Sequence, residues 1–240
     1  IFAADRDNIT YDYGKNIEDF KGVDIDYIQE KIKLFNPNNS EKFDFPKPHG
    51  GGTAYMNTVD KNGLGVSLIQ SNFHGIGSRI GVENFGFFLH NRGCGFNLDS
   101  GHPNYLTPGR KPLHTLSPTI WSKNGNLEFI AGTRGGRYQP QLLIQTILPY
   151  IKNSDSFEKI IKEPRWVIEN FSNDTLSKLK FEKINNEDLE ILLQKGHEVE
   201  VDNKFNKAYG PISIIYKKDD GNFEGVCDVR VGTEKVFNSF

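Results

Sequence analysis

Asn62-Gly63 stands between two runs of largely apolar residues, TAYMNTV before it and LGVSLIQS after it. An Asn-Gly pair enters the left-handed backbone of a tight hairpin turn at little steric cost. The two runs must therefore come back on each other as antiparallel strands. The device recurs along the chain. PTIWSKNGNLEFIAG turns at Asn124-Gly125, and GPISIIYKKDDGNFEGVCDVRV turns at Asp219-Asp220-Gly221. IGVENFGFFLHN reads as further strand. Two helical stretches interrupt this texture. QPQLLIQTILPYI is apolar nearly all round, with Pro140 near its start, and reads as a buried helix. NNEDLEILLQKGHEVEV reads as a helix with an asparagine cap, stopped at Gly196 and followed by a strand. Hairpins first, buried helices next and strands last, with no internal repeat, predict an α+β fold with helices layered on packed antiparallel sheets.

Upstream the texture differs. DIDYIQEKIKLF has helical spacing, with Tyr27, Ile28, Ile32, Leu34 and Phe35 as its apolar positions. It leads into NPNNSEKFDFPKPHGGG, residues 36–52, the most linker-like stretch in the chain. The chain opens on Ile1 with IFAADRDNITY rather than on a methionine or a signal peptide, which reads as the interior of a longer protein. With 240 residues, 36% of them hydrophobic, there is material for one substantial core. A formal charge of −2 gives no electrostatic case for nucleic acid or an acidic membrane. No apolar run approaches the roughly 18 residues that a membrane span needs. The two cysteines, Cys94 and Cys227, are far apart and read as packed thiols rather than a disulfide or a nucleophile. The six histidines lack metal-ligand spacing, so neither a metal nor a cofactor is expected. The low cysteine count slightly favours the cytoplasm, and a homo-oligomer stays open.

Three glycines, Gly50 to Gly52, run directly into Thr53 at the start of the first strand. A flexible loop would explain them. So would a backbone that must contort for Thr53 to attack its own preceding peptide bond, because glycine tolerates dihedral angles that other residues do not. A threonine hydroxyl needs a base to act as a nucleophile. Cleavage between Gly52 and Thr53 would free an α-amine with a pKa of roughly 7.7–8.0, and that amine can accept the hydroxyl proton. Further along, AGTRGGRYQPQ sets Gly135-Gly136 between a strand and a helix. Paired glycine N–H groups before a helix N-terminus can hold a developing oxyanion, although the same pair occurs in ordinary turns.

The order of Gly-Thr, VDKNG, VSLIQSNFHGIGS, GFFLHNRGCGF, GRKPLHTLSPTI, AGTRGGRYQPQ, EPRW and the closing YGPISIIYKKDDGNFEGVCDVRV resembles the γ-glutamyltransferase family of N-terminal-nucleophile hydrolases. FAADRDNITY resembles the end of that family's large subunit. The resemblance implies a four-layer αββα sandwich. Residues 1–52 would be the end of the large-subunit segment with its linker, and residues 53–240 the small subunit, within one domain completed by a preceding segment. It implies Thr53 as nucleophile and new N-terminus, Ser71 as the hydroxyl supporting it, and Gly135 and Gly136 as the oxyanion hole. Asn72 lies beside an asparagine that helps hold substrate. His114 and Thr115 fall on a Ser-Ser pair that touches the substrate carboxylate. The implied partners are the chain's own large subunit and an amide substrate. The sequence runs unbroken through Gly52–Thr53, as a precursor or an uncleaved protein does, whereas a mature small subunit would begin at Thr53.

The departures bear on substrate. Glutathione-cleaving members grip the substrate ammonium with a glutamine and, three residues on, an aspartate. Here those positions hold Arg92 and Gly95. Two cations a few ångströms apart repel by up to about 4 kcal/mol at an effective dielectric near 20. Authentic γ-glutamyl groups are then expected to bind poorly unless Asp99 substitutes, and an Arg92 facing the pocket suits a carboxylate such as that of a glutaryl group. Arg92 could equally point to solvent or pair with an acid elsewhere. The connection NLDSGHPNYLTP is shorter than the lid of the glutathione-type transpeptidases, which favours water over an amine acceptor. The rival expectation, from another class, is an uncleaved, non-catalytic homologue that serves as a structural or binding module.

Overall fold

The computed structural model describes residues 25–34, 38, 53–169, 178–202, 204–232 and 236. The linker 36–52 with its three glycines, and the stretch FAADRDNITY, lie outside the described residues, save Asn38. Helix α1 spans Ile25–Leu34, as its spacing predicts, with Ile25 and Ile32 exposed.

The Asn-Gly turns form as expected. Strand β1 (Thr53–Val59) pairs antiparallel with β2 (Gly65–Ser71) in the register Thr53↔Ser71 to Val59↔Gly65. Gly63 takes φ +83°. The Asp60 carboxylate closes the turn by accepting from the backbone N–H groups of Asn62 and Leu64, each at 2.8 Å. IGVENFGFFLHN is different. Only Gly81–Val82 (β3) and Phe87–Phe88 (β4) pair, because the chain turns between them through Asn84 and Gly86, both at positive φ. Strands β5 (Thr119–Lys123) and β6 (Asn126–Thr133) form the second hairpin, turning at Asn124-Gly125 with both residues at positive φ.

Helix α2 (Gln139–Asn153) follows, then a single turn α3 (Phe157–Ile160), which Ser156 caps. Strands β7 (Trp166–Glu169) and β8 (Lys178–Phe181), which the sequence pattern did not single out, pair antiparallel. Helix α4 (Asn186–Gln194) then crosses over to β9 (Glu198–Val201), parallel to β8, as a parallel pair requires. Asn185 caps α4 by accepting from Asp188 N–H at 2.8 Å. Gly196 at φ +83° ends it, with His197 N–H to Leu192 O and Gly196 N–H to Leu193 O closing a Schellman motif. Strands β10 (Ile212–Lys217) and β11 (Phe223–Val226) make the last hairpin, and β10 joins β6, giving a four-stranded antiparallel sheet in the order β11-β10-β6-β5.

The core lies between that sheet and α2. Phe129, Ala131, Leu142, Leu143, Ile147, Phe157, Ile212 and Ile214 are buried there, and Tyr150 and Tyr216 pack on Phe157. The buried-helix expectation for α2 holds on this side only. Ile144, Leu148 and Ile151 remain exposed, because β6 covers one face and no described element covers the other. The outer face of the β1–β2 hairpin, with Met56, Val66 and Leu68, is likewise exposed. Cys94 is exposed rather than packed, since the turn that carries it stands out from the core; Cys227 is half-buried, and neither is in a disulfide among the described residues.

The hairpin's inner face meets the four-stranded sheet at two glycines. Gly65 faces Ile130 and Leu127, and Gly132 lies directly under the Tyr55 ring, with no room for a Cβ. Gly132→Ala is therefore expected to lower stability by about 1–3 kcal/mol, the usual cost of overpacking. Tyr55→Ala in the same chain should return part of that loss, which denaturant unfolding of the two single variants and the double variant would read.

Candidate active site

The turn end of the hairpin lies over Leu127 and Ile130 and its middle over Gly132, so its open end points along β6 toward Thr133 and the glycines beyond. Thr53 and Ser71 sit at that open end. Thr53 Oγ1 donates to Ser71 Oγ at 3.0 Å, and Ser71 Oγ also accepts from Phe73 N–H at 3.0 Å. Phe73 takes φ +77°, a strained conformation for a residue with a Cβ, and it bends the chain sharply after β2.

That bend is tied to a second loop. Asn91 N–H donates to Asn72 O at 3.1 Å, and His74 N–H donates to Asn91 Oδ1 at 3.0 Å. The next residue, Arg92, opens a 3-10 turn over Arg92–Gly95. Its guanidinium stands 5.2 Å from the centre of the Phe73 ring. Arg92 is only 6% exposed, and neither terminal nitrogen meets a hydrogen-bond acceptor among the described residues. It thus neither points to solvent nor pairs with an acid, and burial alone lowers its basicity. Asp99 is no substitute anchor: it is exposed and its Oδ1 accepts from Gly101 N–H at 3.0 Å within its own turn. Gly95 lies on the backbone of Leu113 at ordinary contact distance, so packing would tolerate a Cβ where the resemblance puts an aspartate. The Asn72 side chain donates to the Ile76 carbonyl at 3.5 Å, turned toward its own loop.

Beside this turn runs the segment 113–117. Leu113 and Thr115 are buried and His114 is exposed. The His114 imidazole is less basic than usual, first through partial desolvation and then through the charge of Arg92, which puts the two side chains in one electrostatic neighbourhood. Ser117 N–H donates to Gln139 Oε1 at 2.9 Å, and Gln139, at the first position of α2, is wholly buried. The segment is thereby fastened to the start of that helix.

Gly135 and Gly136 fill the approach to α2, with φ of +127° and +56°. Successive glycines in such conformations can turn backbone N–H groups toward one concave side, and the helix dipole adds positive potential there. Thr133 Oγ1 fixes the strand end by donating to Pro211 O at 2.9 Å. Thr53 is thus joined to Ser71, and the Asn72 backbone to Asn91, the residue directly before Arg92. Gly135 and Gly136 lead into the start of α2, and Thr115 is buried in the segment that Ser117 ties to it. Phe73, Asn91 and Gln139 hold these groups, and the sequence reading missed them. Asn91 directly before Arg92, and a glutamine directly before the Pro140 that opens the helix, are signals that could have pointed to two of them.

A family model described as Gamma-glutamyltranspeptidase matches residues 3–237. The oxamate amidohydrolase proenzyme of Klebsiella pneumoniae is 34% identical over 189 residues, which are 76% of this chain and 36% of that protein. The glutathione hydrolase-like YwrD proenzyme of Bacillus subtilis is 32% identical over 185 residues, 77% of this chain and 35% of that one. The chain therefore spans about a third of the length of these relatives. Among solved structures, a gamma-glutamyltranspeptidase from Pseudomonas nitroreducens complexed with L-DON superposes with a TM-score of 0.64 at 22% identity, covering 77% of this chain and 99% of that chain. A cephalosporin acylase from Bacillus halodurans superposes with a TM-score of 0.75 at 26% identity, covering 93% of this chain and 41% of the other. With the motif order, the strand register that sets Thr53 against Ser71, and a match running through nearly every residue, the chain belongs to the gamma-glutamyltranspeptidase family.

Proposed function

We propose that this chain carries the catalytic portion of an amidohydrolase that works through an N-terminal threonine. The observation that carries the reading is the hydrogen bond from Thr53 Oγ1 to Ser71 Oγ at the open end of the hairpin. In this reading, self-cleavage between Gly52 and Thr53 frees the Thr53 amine. The amine takes the hydroxyl proton and Oγ1 attacks the amide carbonyl. The backbone N–H groups around Gly135 and Gly136 hold the oxyanion as it develops. The amine then protonates the leaving nitrogen, and water resolves the acyl-enzyme. The relatives named above are proenzymes named for amide or glutathione hydrolysis, which supports amide cleavage as the common step. The self-contained turn at 97–106, held by Asn97 and Leu106, is compatible with an open site and hydrolysis over transfer.

The same reading gives residues 1–52 to the end of a large-subunit segment and residues 53–240 to the small subunit. The exposed apolar residues of α2 and of the outer β1–β2 face are surfaces that a preceding segment would cover, completing the four-layer αββα sandwich.

The test is a rapid acid quench of the protein, expressed from its full open reading frame, during turnover of an acyl p-nitroanilide. The expected result is a mass increase of one acyl group on the fragment that begins at Thr53. Absence of any adduct together with absence of nitroaniline release would leave the non-catalytic reading. Ser71→Ala should lower kcat by about 10-fold or more with little change in KM, because Thr53 loses its oriented partner while the acyl pocket stays intact. Ser71→Thr, which keeps the hydroxyl, should retain most of the rate.

A further inference from the structure

We propose that Arg92 is the receptor for a carboxylate on the acyl part of the substrate. This rests on the reading of Thr53 as nucleophile, and it names the substrate class that the nucleophile would meet. A guanidinium stays charged at any physiological pH, and burying it without an acceptor is costly. Structures keep such a group when something else completes it. Here both terminal nitrogens of an arginine only 6% exposed lack an acceptor among the described residues, and the face of Phe73 lies against the cation. Two parallel N–H groups of one guanidinium match the two oxygens of one carboxylate.

The placement connects this cation to the reacting threonine. Phe73 N–H is bonded to Ser71 Oγ, Ser71 Oγ to Thr53 Oγ1, and the Phe73 ring to Arg92, so three consecutive contacts lead from the nucleophile to the guanidinium. Asn91 holds the two loops together immediately before Arg92. An α-ammonium would need an acidic side chain here. Gly95 has none to offer, and Asp99 is engaged in its own turn. The site therefore discriminates by charge: an acyl chain ending in a carboxylate and lacking an amine gains Arg92, whereas an amine brought next to Arg92 is repelled.

The experiment uses the protein expressed from its full open reading frame, with Arg92→Gln and Arg92→Lys beside it. Three p-nitroanilides are compared, glutaryl, γ-glutamyl and pentanoyl, and glutarate binding is followed by calorimetry. The expected result is that Arg92→Gln lowers kcat/KM for the glutaryl compound by about 10- to 100-fold, the worth of charged hydrogen bonds, and leaves the pentanoyl compound within about twofold. Arg92→Lys should keep part of the glutaryl activity. Glutarate should bind the unmodified protein and not Arg92→Gln. Equal losses on glutaryl and pentanoyl compounds with a lowered melting temperature would overturn the proposal, because Arg92 would then be completing a protein carboxylate. Glutarate binding that ignores Arg92, or no glutarate binding at all, would overturn it too. If no anilide is cleaved but glutarate binding still depends on Arg92, the carboxylate site stands and the assignment of Thr53 falls.

Discussion

Thr53→Ala is expected to leave one intact chain, while the unmodified protein, expressed from its full open reading frame, separates between Gly52 and Thr53 during incubation at neutral pH. Intact mass under denaturing conditions reads both outcomes. The argument is chemical. Attack on the Gly52 carbonyl needs an oxygen at Thr53, and alanine supplies none. Without the cut no α-amine forms, so the base is lost together with the nucleophile. Amide hydrolysis should then fall by about 10⁴-fold or more, as when a residue that acts in a concerted group is removed. Thr53→Ser should cleave, because the hydroxyl is kept. Among the described residues the geometry favours threonine: Oγ1 is held at 3.0 Å from Ser71, and a Cβ with two substituents has less rotamer freedom than serine. The processed enzyme should lose activity as pH falls through the amine pKa, roughly 7.7–8.0, since a protonated amine cannot accept the hydroxyl proton. If both proteins stay whole, the glycines before Thr53 are a loop and the non-catalytic reading stands.

Local chemistry explains which parts of the fold were legible. The Asn62-Gly63, Asn124-Gly125 and Asp220-Gly221 turns formed where the sequence puts them, because the left-handed conformation each needs is open to its glycine, and in the second turn to Asn124 as well. The Asn185 cap and the Gly196 stop were legible for the same reason. Strand β8 was not. Its four residues, KLKF, have only Leu179 buried. What makes them a strand is β7 on one side and β9 on the other, the latter brought in parallel by a helix crossover. Lys178 and Lys180 are matched there to Glu200 and Glu169, which lie in other strands. GFFLHN has the composition of a strand, but its two phenylalanines are exposed and pair over two residues only.

The site divides in the same way. Thr53 against Ser71 follows from the hairpin register once the Asn62-Gly63 turn is granted, so the pairing was implicit in the spacing. The state of Arg92 was not. Its burial arises where the bend at Phe73, the turn at Arg92–Gly95 and the segment 113–115 converge, and no window of sequence contains all three. An arginine with no acid near it in sequence reads as a surface residue, and only the packing removes that reading.

Asp228→Asn should be the most destabilising conservative change in the described part of the chain. Arg165, Glu182, Asp228 and Arg230 form a buried group of two cations and two anions. Asp228 meets Arg165 Nη2 at 2.7 Å and Arg230 Nη1 at 3.2 Å, and Glu182 accepts from Arg230 Nε at 2.7 Å and also meets Arg230 Nη2. Removing one charge strands the cations it served, which typically costs about 3–5 kcal/mol, or roughly 6–20 °C in melting temperature for a chain of this size. Replacing a buried ion pair by apolar residues is often harmless, but that exemption does not extend to this group. Asp228 also accepts from Ile212 N–H at 2.8 Å, and Glu182 accepts from the N–H groups of Arg165 at 2.8 Å and Asn206 at 3.0 Å. Leucine at 228 would leave the Ile212 and Arg230 amides unpaired, so Arg165→Met combined with Asp228→Leu should remain destabilised rather than recover. The exposed pair Lys159–Asp155 is the control, and its removal should leave thermal unfolding unchanged within error. Recovery of stability in the Arg165–Asp228 double variant would mean that the charges matter only to each other. Persistent loss would mean that the carboxylates hold the backbone where the EPRW segment, the 206–212 loop and the end of β11 meet.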